Sequence, residues 1–297
     1  MDKPKMIFMV GLPASGKSTK AKELAAKYDA TIFSSDALRE EMFGNINDQE
    51  HNQEVFVELY KRIKDCLRNG ESAIMDATNI NYKRRMAFLA ELKNIPCEKI
   101  CVLMATPYTV CKMRNEVRSR QVPLHVLNRM YHNFHIPYWF EGWDDIQIEY
   151  GEYAKCFGIP MKFYMDHKNY NQNNSHHTLT LGEHCYRVSL NVGYDMVLVH
   201  AGLLHDCGKP VCATHLNKNG EYDDDCHYYD HQYVGSYISL FYDYGDINPL
   251  DVAILIGLHM QPYFNKEEKT KNKYRQLWGE ELYNKVMKLH EADRAAK

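Results

Sequence analysis

A glycine-rich segment near the start of the sequence has the residue pattern of a phosphate-binding loop. Residues 11–19 read GLPASGKST and match G-x-x-x-x-G-K-[ST] at every fixed position. Glycine lets backbone N–H groups approach phosphate oxygens, lysine neutralises the β- and γ-phosphates, and the next hydroxyl binds Mg²⁺. An apolar strand before the segment and a helix after it disfavour a chance glycine turn. The residues predicted to bind a nucleoside triphosphate are Gly11, Ser15, Gly16, Lys17, Ser18 and Thr19, with Ser18 as the Mg²⁺ ligand.

A carboxylate and a guanidinium stand three residues apart after the second apolar segment. Asp36 and Arg39 would lie on one side of a helical turn. Asp36 could accept the proton of an attacking hydroxyl, and Arg39 could hold a phosphate of the acceptor. The pair is also compatible with a helix N-cap aspartate followed by a solvated arginine.

Two later segments carry charges whose role the sequence alone leaves open. Asp76 ends the third apolar segment and belongs either to a Walker-B-like metal site or to a helix cap. Basic side chains then crowd one helix and its end, namely Lys112, Arg114, Arg118 and Arg120. Because Arg114 and Arg118 are four residues apart, they face the same way on a helix. The segment is either a flexible basic lid over the triphosphate or a solvated charged face.

Imidazole and carboxylate side chains recur in the C-terminal part at positions that could hold a metal ion. His184, the adjacent pair His205-Asp206, and Asp293 belong to separate segments with helical spacing. Ligands from separate helices are a common way to build a metal site in a helical bundle. A single His-Asp pair is weak evidence, because both residues also serve as helix caps and buried hydrogen-bonding groups.

The elements that must position these residues change character along the chain. Up to about Gln147, short apolar strands alternate with amphipathic helices, which predicts an α/β domain with a parallel sheet. The predicted strands are Ile7–Val10, Thr31–Phe33, Ala73–Met75 and Ile100–Met104, with a first helix at Thr19–Tyr28. The loop and the carboxylates would then meet at the edge where such sheets bind ligands.

The second half of the chain shows helical spacing only. The polar, Asn-rich segment 166–178 predicts a linker between a domain at 1–165 and an all-α domain at 179–297. The helices predicted there are Met196–Leu204, Val234–Tyr242, Pro249–Leu258 and Glu280–Ala296. The run Asp223-Asp224-Asp225 is interpreted as a solvated loop, and His176 and His177 are expected at the mouth of the domain.

Length and composition agree with two cytoplasmic domains. The chain has 297 residues, more than one hydrophobic core serves well. No apolar run approaches the roughly 18 residues of a membrane span, and the start is not laid out as a signal peptide, so a cytoplasmic location without membrane contact is expected. A net charge of -3 disfavours a protein coated with positive charge for non-specific DNA binding.

The segment from Gly11 to Met130 resembles the kinase module of phage-type 5′-polynucleotide kinases. Five motifs agree in order and spacing: GxPxSGKST, the Asp-x-x-Arg pair at Asp36, DATNxN from Asp76, Arg114-Asn115 with Arg118, and VPxxVLxxMY from Val122. The resemblance implies ATP and Mg²⁺ as cofactors and 5′-hydroxyl ends of nucleic acid as acceptors.

The same resemblance implies roles for individual residues. Asp36 would be the general base and Arg39 the ligand of the acceptor phosphate. Lys17 and Ser18 would contact the ATP phosphates and the metal. The lid arginines Arg114 and Arg118 would contact the transferring phosphate.

The C-terminal part resembles the HD phosphohydrolase superfamily. EHCYRV around His184, LLHDCGKP around His205 and HEADRAA around Asp293 follow the H…HD…D order of that superfamily. The resemblance implies that His184, His205, Asp206 and Asp293 bind a catalytic metal such as Mn²⁺, Ni²⁺ or Co²⁺, with Lys209 steadying a phosphate. It also implies a second ion at His231 and His259, which are otherwise ordinary helical histidines.

The two resemblances together predict a bifunctional enzyme that heals nucleic-acid ends, with RNA favoured over DNA. The kinase would act on 5′-hydroxyl ends, and the phosphohydrolase on 2′,3′-cyclic phosphate or 2′- or 3′-phosphate ends. Bacterial fused RNA-repair proteins are similar, but place the HD module first. An RNA ligase in the same repair and a homodimer are the expected partnerships. The alternatives are a small-molecule or nucleoside kinase joined to an HD nucleotidase, and a nucleotide-gated sensor.

Overall fold

The chain forms two compact units in the computed structural model, which describes residues 3–175, 178–265 and 267–296. The first unit comprises the chain up to Met130 together with Pro137–Gly151. The second comprises Tyr131–Ile136 and the chain from Glu152 onward. His176 and His177, which the sequence predicts at the mouth of the second domain, lie outside the described residues.

The first unit is built on a five-stranded parallel sheet. Its strands, in the spatial order β2-β3-β1-β4-β5, are β1 (Lys5–Val10), β2 (Ala30–Ser34), β3 (Ser72–Asp76), β4 (Glu98–Met104) and β5 (Asp145–Glu149). The parallel α/β prediction is confirmed, and the four predicted strands each begin one or two residues earlier than expected. The sequence analysis missed β5, because its five residues, DIQIE, include only two apolar ones.

Helices cover both faces of this sheet. They are α1 (Lys17–Tyr28), α2 (Ser35–Phe43), α3 (Asn52–Arg68), α4 (Tyr82–Glu91), α5 (Tyr108–Glu116) and α6 (Leu124–His132). Since side chains alternate along a strand, Met6 and Phe8 of β1 pack in one core cluster with residues of α3 and α4. Ile7 and Met9 pack in a second cluster with residues of α1. The strand β1, buried from Met6 to Val10, therefore anchors the phosphate loop that follows it.

The second unit is mainly helical. Its helices are α7 (Met161–His167), α8 (Leu181–Asn191), α9 (Met196–Leu204), α10 (Lys209–Cys212), α11 (His231–Ser239), α12 (Pro249–Leu258), α13 (Gln261–Phe264), α14 (Glu268–Trp278) and α15 (Glu280–Ala295). The bounds of α9 and α12 are those predicted, while α11 begins three residues before the predicted Val234. Among the described residues, no helix is both long and apolar enough to cross a bilayer.

An antiparallel hairpin in this unit corrects the all-α prediction. It consists of β6 (Ala213–Leu216) and β7 (Tyr222–Tyr228). Gly220 has a φ of 81° in the turn, and the Asn217 N–H donates to the Glu221 carbonyl at 2.8 Å. The run Asp223-Asp224-Asp225 lies in β7 and not in a loop. Polar strands of this kind lack the apolar alternation by which strands are recognised.

The segment predicted as a linker, 166–178, falls inside the second unit. Residues 166–167 end α7, and Gln172 is only 1% exposed. The Asn174 amide donates to the Cys226 carbonyl at 2.8 Å, and Ser175 donates to Asp225 through its N–H and its hydroxyl. Asn174 thus satisfies a backbone carbonyl of β7, and Ser175 binds a side chain of the same strand, so this polar segment is hydrogen-bonded to the hairpin.

Candidate active sites

The phosphate loop follows β1 and leads into α1, at the carboxyl edge of the parallel sheet. Gly16 has a φ of 97°, in the left-handed region that favours glycine. A Cβ atom on Gly11 would lie 2.7 Å from Ser15 Oγ and 3.0 Å from Met104 Cβ. The Gly11 N–H donates to the Thr78 carbonyl at 3.1 Å. Both glycines of the motif are therefore required by the backbone path of the loop.

Lys17 and Ser15 have polar atoms that phosphate oxygens would satisfy. Lys17 Nζ donates to the Leu12 carbonyl at 2.7 Å. Burial lowers the pKa of Lys17 to about 8, although the Asp76 carboxylate opposes the shift. Ser15 Oγ is buried and has no hydrogen-bond partner within the described parts of the chain. A buried cation is unusual unless an anion balances its charge. A buried hydroxyl without a hydrogen-bond partner is unusual unless a ligand binds it.

Asp36 and Arg39 form an ion pair in the first turns of α2. Arg39 Nη1 donates to Asp36 Oδ1 at 2.9 Å, and Nη2 donates to Asn52 Oδ1 at 2.7 Å. Arg39 is 4% exposed, and the hydroxyl of Ser34, not Asp36, caps the helix by accepting from the Ala37 N–H. Asp36 is therefore not the N-cap of α2, and Arg39 is not a solvated side chain. The Asp36 side chain is 46% exposed and can be reached by an acceptor hydroxyl.

Arg120 joins the basic segment to Asp36. Its Nη1 contacts Asp36 Oδ2, its Nε donates to Asn47 Oδ1 at 3.0 Å, and its Nη2 donates to the Ile46 carbonyl at 3.1 Å. The sequence predicts Arg120 only as part of a basic segment, because Arg120 follows the end of α5 and is not spaced to share a helix with Asp36. It is thus a candidate functional residue that tertiary structure reveals.

Asn115 fixes the stem of the same basic segment. Its amide donates to the Val122 carbonyl at 2.8 Å and accepts from the Val122 N–H at 2.9 Å. These two bonds close the loop 116–121 at its base. Arg114 in the last turn of α5 and Arg118 in the loop are both exposed, which matches a basic lid as well as a charged surface.

The turn after β3 is a structural brace beside the phosphate loop. Asn79 adopts a φ of 49°, and its amide donates to the Met9 carbonyl at 2.8 Å. Its own carbonyl accepts from Arg85, which forms a bidentate ion pair with Glu141 at 2.6 and 2.7 Å. The side chain of Asn81, not Asp76, caps α4, so the capping alternative for Asp76 does not hold.

Six ligand-type side chains of the second unit converge in what we call the histidine–aspartate cluster. They are His184 of α8, His205 and Asp206 after α9, His231 of α11, His259 after α12, and Asp293 of α15. The cluster thus contains every metal ligand that the sequence predicts in this domain.

Asp206 lies at the centre of the cluster between two histidine pairs. Its Oδ2 is 3.3 Å from His205 Nε2 and 3.7 Å from His184 Nε2. Its Oδ1 is 3.2 Å from His231 Nε2 and 3.9 Å from His259 Nε2. Each oxygen therefore completes a separate group of three ligand atoms that lie within 4.8 Å of one another.

Backbone carbonyls orient all four imidazole rings. The Nδ1 atoms of His205, His231 and His259 lie 2.7–2.8 Å from the carbonyls of Gly202, Tyr228 and Ile256. His184 Nδ1 lies 3.3 Å from the Ala296 carbonyl. Hydrogen bonds at Nδ1 fix the orientation of the rings, so that every Nε2 atom is directed into the cluster.

The distances between facing Nε2 atoms indicate whether a metal ion fits at each histidine pair. His184 Nε2 and His205 Nε2 are 3.2 Å apart, and His231 Nε2 and His259 Nε2 are 3.3 Å apart. Two lone pairs at this separation repel unless a cation lies between or beside them. Burial, with the charges of His205 and His231, lowers the pKa of His259 to about 3, which keeps it in the neutral form that binds metals. The donor set fits one divalent cation at each histidine pair.

Two further residues hold the carboxylates of the cluster. Lys209 Nζ lies 2.7 Å from Asp206 Oδ2 and donates to Gln172 Oε1 at 2.8 Å. The Tyr263 hydroxyl donates to Asp293 Oδ2 at 2.8 Å. Lys209 is therefore bound to a carboxylate and not directed at open space. Sequence analysis missed Gln172 and Tyr263, since the first lay in the predicted linker and the second in no motif.

The known proteins that resemble this chain each match half of it or less. An AAA domain family (AAA_33) matches residues 6–137. The L-seryl-tRNA(Sec) kinase of Methanococcus maripaludis is 28% identical over 153 residues, which is 48% of this chain. The chain spans 58% of that relative's length.

The similar solved structures also match half of this chain or less. A candidate kinase of Chloroflexus aurantiacus J-10-fl is 21% identical, over 50% of this chain and 86% of that chain, with a TM-score of 0.43. A chain of the Pnkp1/Rnl/Hen1 RNA repair complex is 19% identical, over 45% of this chain and 44% of that chain, with a TM-score of 0.38. The match over residues 6–137, the phosphate loop and the parallel sheet together indicate a P-loop domain of the kinase type.

Proposed function

We propose that the chain is a bifunctional enzyme that heals broken nucleic-acid ends, with RNA as the favoured substrate. The first unit phosphorylates 5′-hydroxyl ends with ATP. The second unit hydrolyses 2′,3′-cyclic phosphate or 2′- or 3′-phosphate ends. The observation that carries the proposal is the position of Asp206, whose two carboxylate oxygens each complete a three-ligand group with a histidine pair.

The kinase step follows from the groups at the edge of the sheet. The acceptor hydroxyl attacks the γ-phosphorus, the bond to the β–γ bridging oxygen breaks and ADP leaves, Asp36 takes the proton, and Arg39 holds the neighbouring phosphate of the strand. Lys17 neutralises charge on the β- and γ-phosphates, and the Ser18 hydroxyl would hold Mg²⁺. Since Arg120 occupies Asp36 Oδ2 in the structure, it must move aside or share that oxygen with the acceptor hydroxyl.

The hydrolase step depends on the histidine–aspartate cluster. Two divalent cations held there would polarise the phosphate ester and supply a nucleophile at neutral pH. Lys209 keeps Asp206 charged and aligned, and Tyr263 orients Asp293. The carbonyl-bound Nδ1 atoms keep the four rings in place when the substrate enters.

The similarity to L-seryl-tRNA(Sec) kinase supports a second acceptor class for the first unit. The name of that relative describes transfer to a hydroxyl carried by a tRNA, and it is 28% identical to this chain over 153 residues. A hydroxyl of an aminoacyl group attached to RNA is therefore the alternative acceptor. A free nucleoside or another small alcohol is the third.

Label transfer from γ-labelled ATP distinguishes these acceptors. We expect label on a 5′-hydroxyl oligoribonucleotide, less on the matching DNA, and none on seryl-tRNA or free nucleosides. Asp36→Asn should reduce the rate by about 10²- to 10⁴-fold, the usual contribution of a general base. Glu40→Gln, an exposed change on the same helix, is the matched control.

Each other outcome points to one alternative. Label only on seryl-tRNA or on a small alcohol would replace the nucleic-acid end as acceptor. ATP binding without transfer to any acceptor would favour the nucleotide-gated sensor. Labelling that survives Asp36→Asn at the wild-type rate would remove Asp36 from the mechanism.

Hydrolysis of an oligoribonucleotide that ends in a 2′,3′-cyclic phosphate tests the second unit. We expect ring opening or phosphate release with Mn²⁺, Ni²⁺ or Co²⁺, and its loss in His259→Ala. His215→Ala, an exposed histidine of the hairpin, should leave the rate unchanged. No turnover of cyclic phosphate or phosphate ends with any of the three metals would contradict the proposed hydrolase.

A further inference from the structure

A cavity of about 480 Å³ lies beside the histidine–aspartate cluster, within the second unit. It is lined by residues of α13, α14 and α15. The residues that matter here are Tyr263, Lys271, Tyr274, Trp278, His290 and Arg294. Its volume lies within the range of about 300–1,000 Å³ that is usual for small-molecule sites.

One wall of the cavity is aromatic. Tyr274 and Trp278 are four residues apart on α14, and their ring centroids are 4.6 Å apart with the planes inclined by 37°. Residues at this spacing lie on the same face of a helix. The two rings present a broad π surface on which a planar ligand can stack.

The cavity also offers polar groups suited to the edge of a planar ligand and to a phosphate. The His290 ring lines the cavity. Lys271 and Arg294 supply two cations, against the single carboxylate of Glu291. A neutral apolar ligand would use none of these groups.

Tyr263 and Arg294 connect the cavity to the histidine–aspartate cluster. The Tyr263 ring lines the cavity, while its hydroxyl lies 2.8 Å from Asp293 Oδ2. Arg294 is the neighbour of Asp293 in the chain and also lines the cavity. A ligand in the cavity would therefore have one end against the aromatic wall and the other beside Asp293.

We propose that this cavity binds the nucleobase of the nucleotide whose phosphate is presented to the histidine–aspartate cluster. The inference rests on the proposed hydrolase and specifies its substrate class, namely a phosphate ester of a nucleoside and not of a plain sugar, polyol or lipid. Tyr274 and Trp278 stack on the base, and Arg294 contacts its phosphate.

Calorimetric titration of the metal-free full chain tests the binding directly. Uridine 3′-monophosphate is the nucleotide probe and β-glycerophosphate is the base-free probe; dependence on Tyr274 distinguishes this cavity from the phosphate loop. Tyr274→Leu should weaken binding of the nucleotide by about 5- to 150-fold, the range provided by stacking of one base on one aromatic ring. Tyr194→Leu is the control, since Tyr194 is fully exposed in the same unit.

Tyr274→Leu should weaken binding of the nucleotide but not binding of β-glycerophosphate. Binding of β-glycerophosphate should be weak and unchanged by Tyr274→Leu. Equal affinity of the wild type for both probes, or unchanged nucleotide affinity in Tyr274→Leu, would overturn the proposal. Trp278→Phe preserves an aromatic ring in this buried position and should bind the nucleotide within a few-fold of wild type. This variant shows whether a substitution in the aromatic wall that keeps the ring also keeps the binding.

Hydrolysis of the same two compounds with Mn²⁺ separates failure of this inference from failure of the hydrolase. Equal cleavage of both compounds by wild type and Tyr274→Leu would reject the nucleobase site and keep the hydrolase. Tyr274-dependent nucleotide binding without cleavage of either compound would keep the nucleobase site and reject the hydrolase.

Discussion

At the scale of single residues, Asp206 links the two halves of the histidine–aspartate cluster. Its carboxylate oxygens lie 3.2 Å from His231 Nε2 and 3.3 Å from His205 Nε2, in opposite halves of the cluster. It is 3% exposed, and Lys209 balances its charge. Because one carboxylate serves both halves, its removal should affect both proposed metal positions.

Asp206→Asn tests this dependence without a change of side-chain shape. We expect the wild type to hold about two divalent ions per chain after Mn²⁺ loading, as two-metal sites do, and the variant to hold fewer than one. Elemental mass spectrometry of the dialysed protein measures the content. Asp224→Asn, an exposed change in β7, should retain the wild-type content, and equal contents in all three proteins would contradict the bridging role.

Lys17 gives the first unit a defined pH response. Burial lowers its pKa to about 8, so the free protein loses the Lys17 charge as the pH rises through that value. The protonated form binds the phosphates, and we therefore expect kcat/KM for ATP to fall above about pH 8. At saturating ATP the phosphates favour the charged lysine, so kcat should decline only at higher pH. A kcat/KM profile that stays flat from pH 7 to about 9.5 would contradict this role.

At the scale of elements, the Arg85–Glu141 pair ties α4 to the segment before β5. Both side chains are almost fully buried, and the Glu141 carboxylate also accepts from the Tyr138 N–H at 2.8 Å. Arg85 in turn holds the Asn79 carbonyl, in the turn whose Thr78 carbonyl accepts from Gly11. The pair therefore supports the turn against which the phosphate loop rests.

Glu141→Gln should destabilise the first unit strongly, because it leaves the buried Arg85 guanidinium without a counter-charge. The expected loss is about 3–5 kcal/mol in the free energy of unfolding, measured by urea denaturation. Glu116→Gln, an exposed change at the end of α5, should cost less than about 0.5 kcal/mol. A loss below about 1 kcal/mol in Glu141→Gln would mean that Arg85 is solvated in solution.

The elements that the sequence predicts well are those with strong local signals. The strands β1 to β4 each contain a short apolar run, and α9 and α12 are apolar segments preceded by the capping residues Asp195 and Asn248. The strand β5 and the hairpin lack such signals, because their residues are mostly polar.

The same distinction applies to the candidate sites. The phosphate loop and the HD pair are local motifs, so their residues could be named from the sequence. Arg120, Gln172 and Tyr263 reach their sites only through tertiary structure, across 84, 37 and 30 residues from their partners. No periodicity or local pattern carries information about contacts at such separations.

At the scale of the whole molecule, each compact unit contains the residues of one candidate site. Lys17, Asp36 and Arg39 belong to the first unit, and every member of the histidine–aspartate cluster belongs to the second. No residue is shared between the sets. Substitutions at independent sites usually act additively, so each proposed activity should be removable without loss of the other.

One RNA strand with a 5′-hydroxyl and a 2′,3′-cyclic phosphate would test the account most directly. Incubation with ATP, Mg²⁺ and Mn²⁺, followed by mass spectrometry, reports both ends of the same molecule. We predict that the wild type converts both ends, that Asp36→Asn converts only the 3′ end, and that Asp206→Asn converts only the 5′ end. Conversion of neither end by the wild type, or loss of both conversions in either variant, would contradict the assignment of two separate end-healing sites to this chain.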